Sequence, residues 1–381
     1  MSKKYRVGIV GFAHPHINHV ASLFSAHQQV EWVACADTRP VRPELRVAPY
    51  TREWNRGNVM KSAGISKCYE DYHEMLGKER FDLVLVECEN AQHPEVVEAC
   101  AEAGAHVCVE KPMAVSLVDA RRMDRACQAA GTMLAVNWPP AWLPHARKAK
   151  EVIDSGMIGR VLEVDYRVGH GGPFGAGAEH KGGTGASAPL TDEEKAATWF
   201  HQKATGGGAF LDLCCYGVVY SLWYIGERAT AVQGMKANLS SHWCDAEDNG
   251  VIVLRYPSAI AVAQGSWTTM GKSYLSAGPL MVYGEGGSLS FEIYGDQPVV
   301  RVVHGPERKV EMVQAAPLPK HRSNLPQELF HHLETGEPLH EILTPEFNLD
   351  ATAIVDAGAR SAENGGLETV SDPSRCPCAG C

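Results

Sequence analysis

The sequence of 381 residues lacks an excess of basic charge, a long apolar run and a regular spacing of cysteines. Its net charge is −10, and because nucleic-acid binding needs a basic face, we expect no nucleic-acid partner. No unbroken apolar run reaches the roughly 18 residues that span a membrane, so we expect no membrane association. The N-terminus leads into a predicted strand without room for a signal peptide, so we expect a cytoplasmic protein.

The 12 cysteines show no framework spacing, and several lie in apolar stretches where a thiol behaves as a small hydrophobe. We therefore expect free thiols in a reducing compartment. Three of them, Cys376, Cys378 and Cys381, cluster at the C-terminus. Because this cluster has neither a nearby histidine nor a second Cys-x-x-Cys pair, it predicts a frayed tail rather than a metal site.

Length and the order of apolar segments predict two domains. In residues 1–137 short apolar strands alternate with helices, which predicts an α/β domain with a doubly wound parallel sheet, the Rossmann arrangement. In residues 138–381 longer strands follow one another with few helices between them. This second pattern predicts an α+β domain with a large, open and mostly antiparallel sheet.

The first predicted strand runs into a turn that matches the dinucleotide-binding fingerprint G-x-G-x-x-G only in part. The three glycine positions hold Gly11, Ala13 and His16. Ala13 adds one methyl group where the backbone approaches a pyrophosphate, and His16 predicts a wider turn than usual. Since the next helix still directs its free N–H groups at the phosphates, the turn, with Phe12 and His14, is a predicted cofactor contact.

The same turn contains several histidines. A metal site built from His14, His16 and His19 would need carboxylate or thiol neighbours, and the sequence around them offers none. We therefore expect no bound metal.

The second predicted strand ends at Asp37, 26 residues after Gly11. A carboxylate at this place accepts hydrogen bonds from ribose hydroxyls and repels the additional phosphate of NADP. We therefore predict NAD as the cofactor, with NADP less favoured because Arg39 could accommodate a 2′-phosphate. The alternative is that Asp37 is an ordinary turn residue before Pro40.

Polar residues also stand where the fourth and fifth predicted strands end. Asn90 and His93 lie between the fourth strand and its helix, and Glu110 and Lys111 end the fifth strand. Ligands of open α/β sheets bind at this carboxyl edge. All four are therefore predicted to line the cofactor cleft, with Lys111 a fixed cation near the reacting atoms.

Three consecutive glycines at 206–208 open a helix that carries Asp212 and Tyr216, which are four residues apart and so share one face. The alternative is a buried tyrosine whose hydroxyl bonds Asp212 for structural reasons. Upstream, residues 169–189 contain eight glycines and predict either a disordered insertion or a loop over the site. Trp199 and His201 follow this segment and are predicted substrate contacts.

In this order and spacing, the elements closely resemble the glucose–fructose oxidoreductase, inositol 2-dehydrogenase and rhizopine-catabolism family, written Gfo/Idh/MocA. The resemblance rests on Asn90 and His93, the Glu110-Lys111-Pro112 tripeptide and the triple glycine before Asp212. It implies an NAD(P)-dependent oxidoreductase that moves a hydride between nicotinamide and a secondary alcohol or ketone of a sugar, cyclitol or glycoside. It also implies a second domain that binds substrate and a homodimer or homotetramer formed through the antiparallel sheets.

The resemblance further implies that Lys111, Asp212 and Tyr216 are catalytic and contact the substrate. Many relatives carry a histidine as proton acceptor where this chain has Tyr216. A phenol with its ordinary pKa of about 10 is a poor base, so we expect Lys111 to lower the pKa of Tyr216. Tyr216 would then take the proton of the substrate hydroxyl, while Asp212 orients either that hydroxyl or the Lys111 ammonium.

Two other functions remain open at this point. Some family members keep the cofactor bound and cleave a glycosidic bond by transient oxidation followed by elimination. Others are non-catalytic NAD-sensing regulators. The presence of Lys111, Asp212 and Tyr216 argues against a regulator, because a sensor needs no acid–base set.

Overall fold

The computed structural model describes residues 3–175, 189–269, 280–294 and 297–372. Most of the glycine-rich segment 169–189 and the three C-terminal cysteines lie outside the described residues. The nine cysteines within them are free thiols, as expected.

The first half of the chain forms a parallel sheet with helices between its strands. Its strands are β1 (Tyr5–Val10), β2 (Val30–Ala36), β3 (Cys68–Tyr69), β4 (Leu83–Val86), β5 (His106–Glu110) and β6 (Leu134–Asn137). Its helices are α1 (Ile17–Ser25), α2 (Arg52–Ala63), α3 (Tyr72–Lys78), α4 (His93–Glu102) and α5 (Leu117–Ala130). The strand order is β3-β2-β1-β4-β5-β6, so the direction of winding reverses between β1 and β4.

Both faces of this sheet are buried, which explains the continuous apolar runs of its strands. Val7, Ile9 and Leu85 face one hydrophobic core, and Val84 and Val86 face the other. A crevice therefore opens at the carboxyl ends of β1 and β4, where the winding reverses and where such sheets bind ligands.

The second half forms a larger sheet. Its first elements are α6 (Pro144–Asp154), β7 (Val161–Gly169), α7 (Asp192–Ala196), a π-helical turn (Phe210–Cys214), α8 (Cys215–Ile225), β8 (Ala231–Ala237), β9 (Asn249–Arg255) and β10 (Ile260–Ser266). The remaining elements are β11 (Leu280–Gly284), β12 (Gly287–Tyr294), β13 (Gln297–His304), β14 (Lys309–Gln314), α9 (Leu325–Thr335), α10 (Pro345–Asn364) and β15 (Glu368–Thr369).

Among the described residues, nine strands follow the order β14-β13-β12-β11-β7-β10-β9-β8-β15, and the β7–β10 pair is the parallel one. The predicted fold class, a Rossmann domain followed by an α+β domain with a mostly antiparallel sheet, is therefore confirmed. Gly217 allows helix α8 to pack closely on this sheet, since a Cβ at this position would lie 2.5 Å from the Cβ of Ala263 on β10.

The two halves of the chain share a hydrophobic core. Helix α9, near the C-terminus, packs on the first sheet, where the ring of Phe330 stacks on that of Tyr5 at 4.3 Å and contacts Phe24 at 5.9 Å. Leu325 and Leu329 join the same core. The predicted boundary at residue 137 stays a prediction, but residues 1–137 alone do not close this core.

One helical stretch among the described residues, Lys203–Ile225, is long and apolar enough to cross a membrane. Polar residues interrupt it, so it is not an unbroken apolar run in the sequence. In its most apolar window, 89% of the residues are buried inside the protein. Buried core helices meet the same criterion, so this is weak evidence for a membrane, and the absence of membrane association stays a prediction.

The packing of α9 generates a prediction about stability. Replacing Phe330 with alanine removes a fully buried ring and should lower the free energy of unfolding by about 3–5 kcal/mol. Leu367→Ala, at a side chain 62% exposed, is the control and should change it by less than about 0.5 kcal/mol. Urea denaturation measures both variants, and equal small losses would show that α9 does not support the first domain.

Candidate functional site

The turn after β1 is held against the end of β4. Gly11 has φ +95°, and a Cβ there would lie 2.4 Å from the backbone nitrogen of Cys88. The Gly11 N–H donates to the carbonyl of Ala36 at the end of β2. Only glycine fits this close approach, so the one fingerprint glycine that remains is the one that the backbone geometry requires.

The N-terminus of α1 is less open than the sequence predicted. The His14 N–H donates to Glu87, the Ile17 N–H to His14 and the Asn18 N–H to Pro15, each to a backbone carbonyl at 3.1–3.3 Å. The His16 N–H donates to Nδ1 of His14 at 3.3 Å. The expectation of free N–H groups is therefore wrong in this structure, since the proline-containing turn supplies its own acceptors. An anion bound here would replace these long hydrogen bonds.

Glu110, at the end of β5, is fully buried and has two partners. One carboxylate oxygen lies 2.8 Å from Nδ1 of His16, and the other accepts from the Asn137 amide at 3.0 Å. Burial and the nearby Glu110 carboxylate both raise the pKa of Glu87, which favours the protonated form of that neighbour. Two carboxyl groups thus share this buried end of the sheet, and their proximity disfavours the charged form of Glu87.

The premise for excluding a metal was wrong in one respect. Possible ligand atoms of His14, His16 and Glu110 all lie within 4.8 Å of one another, so a carboxylate does accompany these histidines. Their separation in sequence, 94 residues between His16 and Glu110, hid this proximity. His16 and Glu110 form a hydrogen bond with one another. The absence of a bound metal stays a prediction.

Asp37 is engaged by protein groups on one of its oxygens. Its Oδ1 accepts from the backbone N–H groups of Phe12 and Thr38 and from the Arg52 guanidinium, the last at 2.5 Å. Arg52 also forms an ion pair with Glu89. Burial raises the pKa of Asp37, and Arg52 opposes this shift. Sequence reasoning missed Arg52, since α2 carries no pattern that distinguishes it from an exposed helix residue.

A cavity of about 290 Å³ lies beside Asp37 and Arg39, between the ends of β2 and β3 and the start of α4. Glu70, Asp71 and Glu95 line it with them. Carboxylates therefore outnumber the one lining cation, and the cavity is electrostatically unfavourable for an additional phosphate.

Asn90 and His93 make contacts with other parts of the protein. The Asn90 amide donates to the carbonyl of Gly206 at 2.9 Å, which ties the first domain to the glycines before Asp212. A ring nitrogen of His93 lies 3.1 Å from the carbonyl of Met113, and burial lowers the pKa of this histidine. Their contact with a cofactor stays a prediction.

Lys111 and Asp212 form a buried ion pair across the two domains. Nζ of Lys111 lies 2.7 Å from Oδ1 of Asp212, and Trp267 donates its indole N–H to Oδ2 at 3.3 Å. Although burial opposes the charge on both groups, Asp212 raises the pKa of Lys111 well above its ordinary value. Lys111 in turn lowers the pKa of Asp212. Both groups are therefore charged at neutral pH.

Tyr216 lies beside this pair, but its pKa moves against expectation. Nζ of Lys111 is 5.0 Å from the centroid of the Tyr216 ring. Burial raises the pKa of Tyr216, and the opposing effect of Lys111 is smaller. The expected lowering is therefore wrong, because Asp212 neutralises the ammonium and the ring is almost completely buried. The alternative structural role for Asp212 is also not what the geometry shows, since its oxygens accept from Lys111 and Trp267.

His170, directly after β7, is a site residue that sequence reasoning missed. Burial lowers its pKa, which the charge of Asp212 partly opposes, and its backbone N–H donates to the carbonyl of Ser266, the residue before Trp267. Its Nδ1 accepts from the Gly172 N–H at 3.1 Å. The available signal was a histidine at the end of a strand that borders the glycine-rich segment.

Trp199 and His201 both make contacts within the protein. The Trp199 indole donates to the carbonyl of Ala13 at 2.8 Å and so braces the turn after β1. Burial lowers the pKa of His201 to about 3, which keeps it neutral. Its ring contacts Trp267 at 5.4 Å and Trp243 at 4.9 Å. Direct contact of either residue with substrate stays a prediction.

Comparison with known proteins agrees with this architecture. The family described as "Oxidoreductase family, NAD-binding Rossmann fold" matches residues 5–138, and the "GFO/IDH/MocA C-terminal domain" matches residues 146–297. The myo-inositol 2-dehydrogenase of Thermotoga maritima is 29% identical over 164 residues, which are 42% of this chain and 45% of that protein. The NADP(+)-dependent D-xylose 1-dehydrogenase of Haloarcula marismortui is 27% identical over 210 residues, 55% of this chain and 54% of that protein.

The chain thus spans about half the length of the curated relatives it matches. Among solved structures, the aldose-aldose oxidoreductase from Caulobacter crescentus complexed with glycerol superimposes with a TM-score of 0.74. It is 20% identical and covers 96% of this chain and 100% of its own, so this likeness speaks for the fold. The two matched domains, their order and the shared fold show that the chain belongs to the Gfo/Idh/MocA oxidoreductase family.

Proposed function

We propose that the protein is an NAD-dependent oxidoreductase that transfers a hydride between nicotinamide and a secondary alcohol or ketone of a sugar, cyclitol or glycoside. The observation that carries this proposal is the buried Lys111–Asp212 ion pair beside Tyr216, at the carboxyl edge of the parallel sheet. Relatives named inositol and xylose dehydrogenases support the substrate class.

The residues at this edge fit a dinucleotide. The turn at Gly11 lets the backbone pass close to β4, and Asp37 and Lys111 follow two other strands at the same carboxyl edge of the sheet. Asp37 and the cavity beside it would hold the adenosine ribose, and the turn through His16 would face the diphosphate. When bound, the nicotinamide supplies the carbon that accepts or donates the hydride.

Tyr216 exchanges the proton with the substrate oxygen in this proposal, and the Lys111 ammonium stabilises negative charge on that oxygen. Asp212 keeps the ammonium in place rather than orienting the hydroxyl. Because burial raises the pKa of Tyr216, the phenol is the dominant form at neutral pH. The protonated phenol is therefore the form available to donate to a ketone, and the rate of alcohol oxidation should rise with pH as phenolate forms.

His170 adds a second hydrogen-bonding group. Since its Nδ1 accepts from Gly172 and burial favours the neutral ring, the proton lies on Nε2. A neutral imidazole in this form donates a hydrogen bond and does not compete with Tyr216 as a proton acceptor. We assign it to substrate positioning.

A regulator without catalysis is less consistent with these contacts. A buried ion pair is costly to desolvate and often contributes nothing to stability, so its position at the crevice is better explained by chemistry.

Apolar side chains exposed on the outer face of the second sheet, among them Met235, Val253 and Ile260, support a homodimer or homotetramer.

The role of Tyr216 is tested by removing only its hydroxyl. Tyr216→Phe should lower the rate of hydride transfer at least a hundredfold, roughly 2.7 kcal/mol of barrier, and leave NADH affinity almost unchanged. Lys111→Ala should be as damaging, and the two losses should not add. Tyr220→Phe, one turn further along the same buried helix, is the control for fold. Near-normal single-turnover rates in Tyr216→Phe would make this tyrosine structural.

The preference for NAD is tested at Asp37. Reduced cofactors titrated by fluorescence should show tighter binding of NADH than of NADPH. In Asp37→Ala the difference should shrink about tenfold, or about 1.4 kcal/mol, because the repelling carboxylate is gone and Arg52 loses one of its two partners. Asp154→Ala, at an exposed position on α6, should preserve the wild-type ratio. Equal affinities in the wild-type protein would refute the preference.

The positioning role of Asp212 predicts a change in the dependence of stability on pH. Asp212→Asn leaves the buried Lys111 without its counter-charge and should cost about 3–5 kcal/mol. Burial then holds the folded-state pKa of Lys111 below its unfolded value of about 10.4, so stability should rise with pH below that value. In the wild-type protein the ion pair keeps its contribution to folding stability between about pH 5 and 9. The reason is that the pKa of Asp212 is lowered and the pKa of Lys111 is raised in the folded state.

Chemical denaturation at a series of pH values measures this difference. Asp154→Asn, which breaks the exposed pair with Lys150, should change stability by less than about 0.5 kcal/mol at every pH. A flat pH profile for Asp212→Asn would show that Lys111 does not depend on this carboxylate.

A further inference from the structure

A second cavity of about 370 Å³, which we call the distal pocket, is lined in part by Trp267, the residue that donates a hydrogen bond to Asp212. Its walls include Phe174, Lys195, His201, Ser241, Trp243 and Trp267. We propose that the distal pocket is a second carbohydrate subsite, so that the substrate is a glycoside with one ring at Lys111 and the next ring in this pocket. This inference rests on the proposed function and specifies its substrate.

Trp267 connects the two sites. Its indole N–H donates to Asp212, and its ring also lines the distal pocket. Gly171 and Gly172, which follow His170 directly, contribute the adjacent wall. A substrate ring held at the ion pair therefore has the distal pocket as its immediate neighbour, and a substituent on that ring can enter it.

The walls offer the surfaces that a pyranose needs. A sugar ring has apolar C–H faces and a rim of hydroxyl groups, so it packs on aromatic faces and bonds polar groups at its edge. Trp243, Trp267 and Phe174 supply aromatic surface, and Ser241 and Thr268 supply hydroxyl groups.

The electrostatics favour a neutral occupant. Among the described residues that line the pocket, Lys195 is the cation, and its Nζ lies 3.2 Å from Asp192 and 5.5 Å from the centre of the Trp243 ring. Its charge is therefore balanced within the wall, and His201 is neutral. A phosphate or carboxylate would find no unbalanced cation among these groups, which argues for an uncharged sugar over a sugar nucleotide or sugar acid.

One wall is also fixed before any ligand binds. Asp248, which is fully buried, accepts from the N–H groups of Leu239, Ser240 and Ser241 at 2.7–2.8 Å. These bonds hold the loop that carries Ser241 and leads to Trp243. A preformed wall loses little conformational entropy on binding, as expected for a ligand site.

The test compares one-ring and two-ring sugars in the intact protein with NADH in place of NAD, so that no alcohol is oxidised during the titration. Isothermal titration measures the binding of cellobiose, maltose and lactose against methyl β-glucoside, methyl α-glucoside and methyl β-galactoside. At least one disaccharide should bind at least tenfold more tightly than its methyl glycoside. Trp243→Ala should remove that advantage while leaving affinity for the methyl glycoside within twofold, and Trp243→Phe, which keeps an aromatic face, should retain most of it.

Trp32→Ala, on β2 and remote from both sites, is the matched control and should bind all sugars as the wild type does. Equal affinities for one-ring and two-ring sugars across the panel, or an advantage that survives Trp243→Ala, would overturn the subsite. Binding is read without turnover, so the two proposals fail separately. A disaccharide advantage without NAD reduction on any sugar would retain the subsite and refute the proposed oxidoreductase activity.

Discussion

The ion pair between Lys111 and Asp212 is the interaction on which the site depends. It joins the end of a parallel strand in the first domain to a π-helical turn in the second, and it is buried on both sides. The pair fixes the position of the cation and neutralises most of its effect, so that burial, the larger effect, leaves the phenol of Tyr216 with a raised pKa. One contact thus joins the two domains and sets the local charge beside the neighbouring acid.

The sequence allowed the fold class, and the elements that carry the candidate site residues, to be predicted because these depend on local order. Strand ends followed by Gly11, Asp37 and Lys111 identify the carboxyl edge, whatever the details of packing. The helix with Asp212 and Tyr216 was predicted in the same way, and the structure brings both residues to Lys111. The π-helical turn at Asp212 was not predicted, since it differs from an α-helix only in that each hydrogen bond spans one more residue.

What could not be predicted depends on contacts between distant segments. Arg52 pairs with Asp37 and Glu89, and His16 pairs with Glu110, although each of these residues looks unremarkable in its own stretch of sequence. The same limit explains the error about Tyr216. The sequence names its charged neighbour, but the balance between that charge and burial follows only from three-dimensional packing.

The stacking of Phe330 on Tyr5 has a consequence for how the chain is made. Synthesis proceeds from the N-terminus at about 5–20 residues per second, so β1 emerges long before its aromatic partner on α9 exists. During that interval one face of the first sheet lacks part of its cover, and the apolar surface around Tyr5 and Phe24 is open to unwanted association. The nucleotide-binding half is therefore the first to be translated, yet it cannot complete its core until α9 has been synthesised.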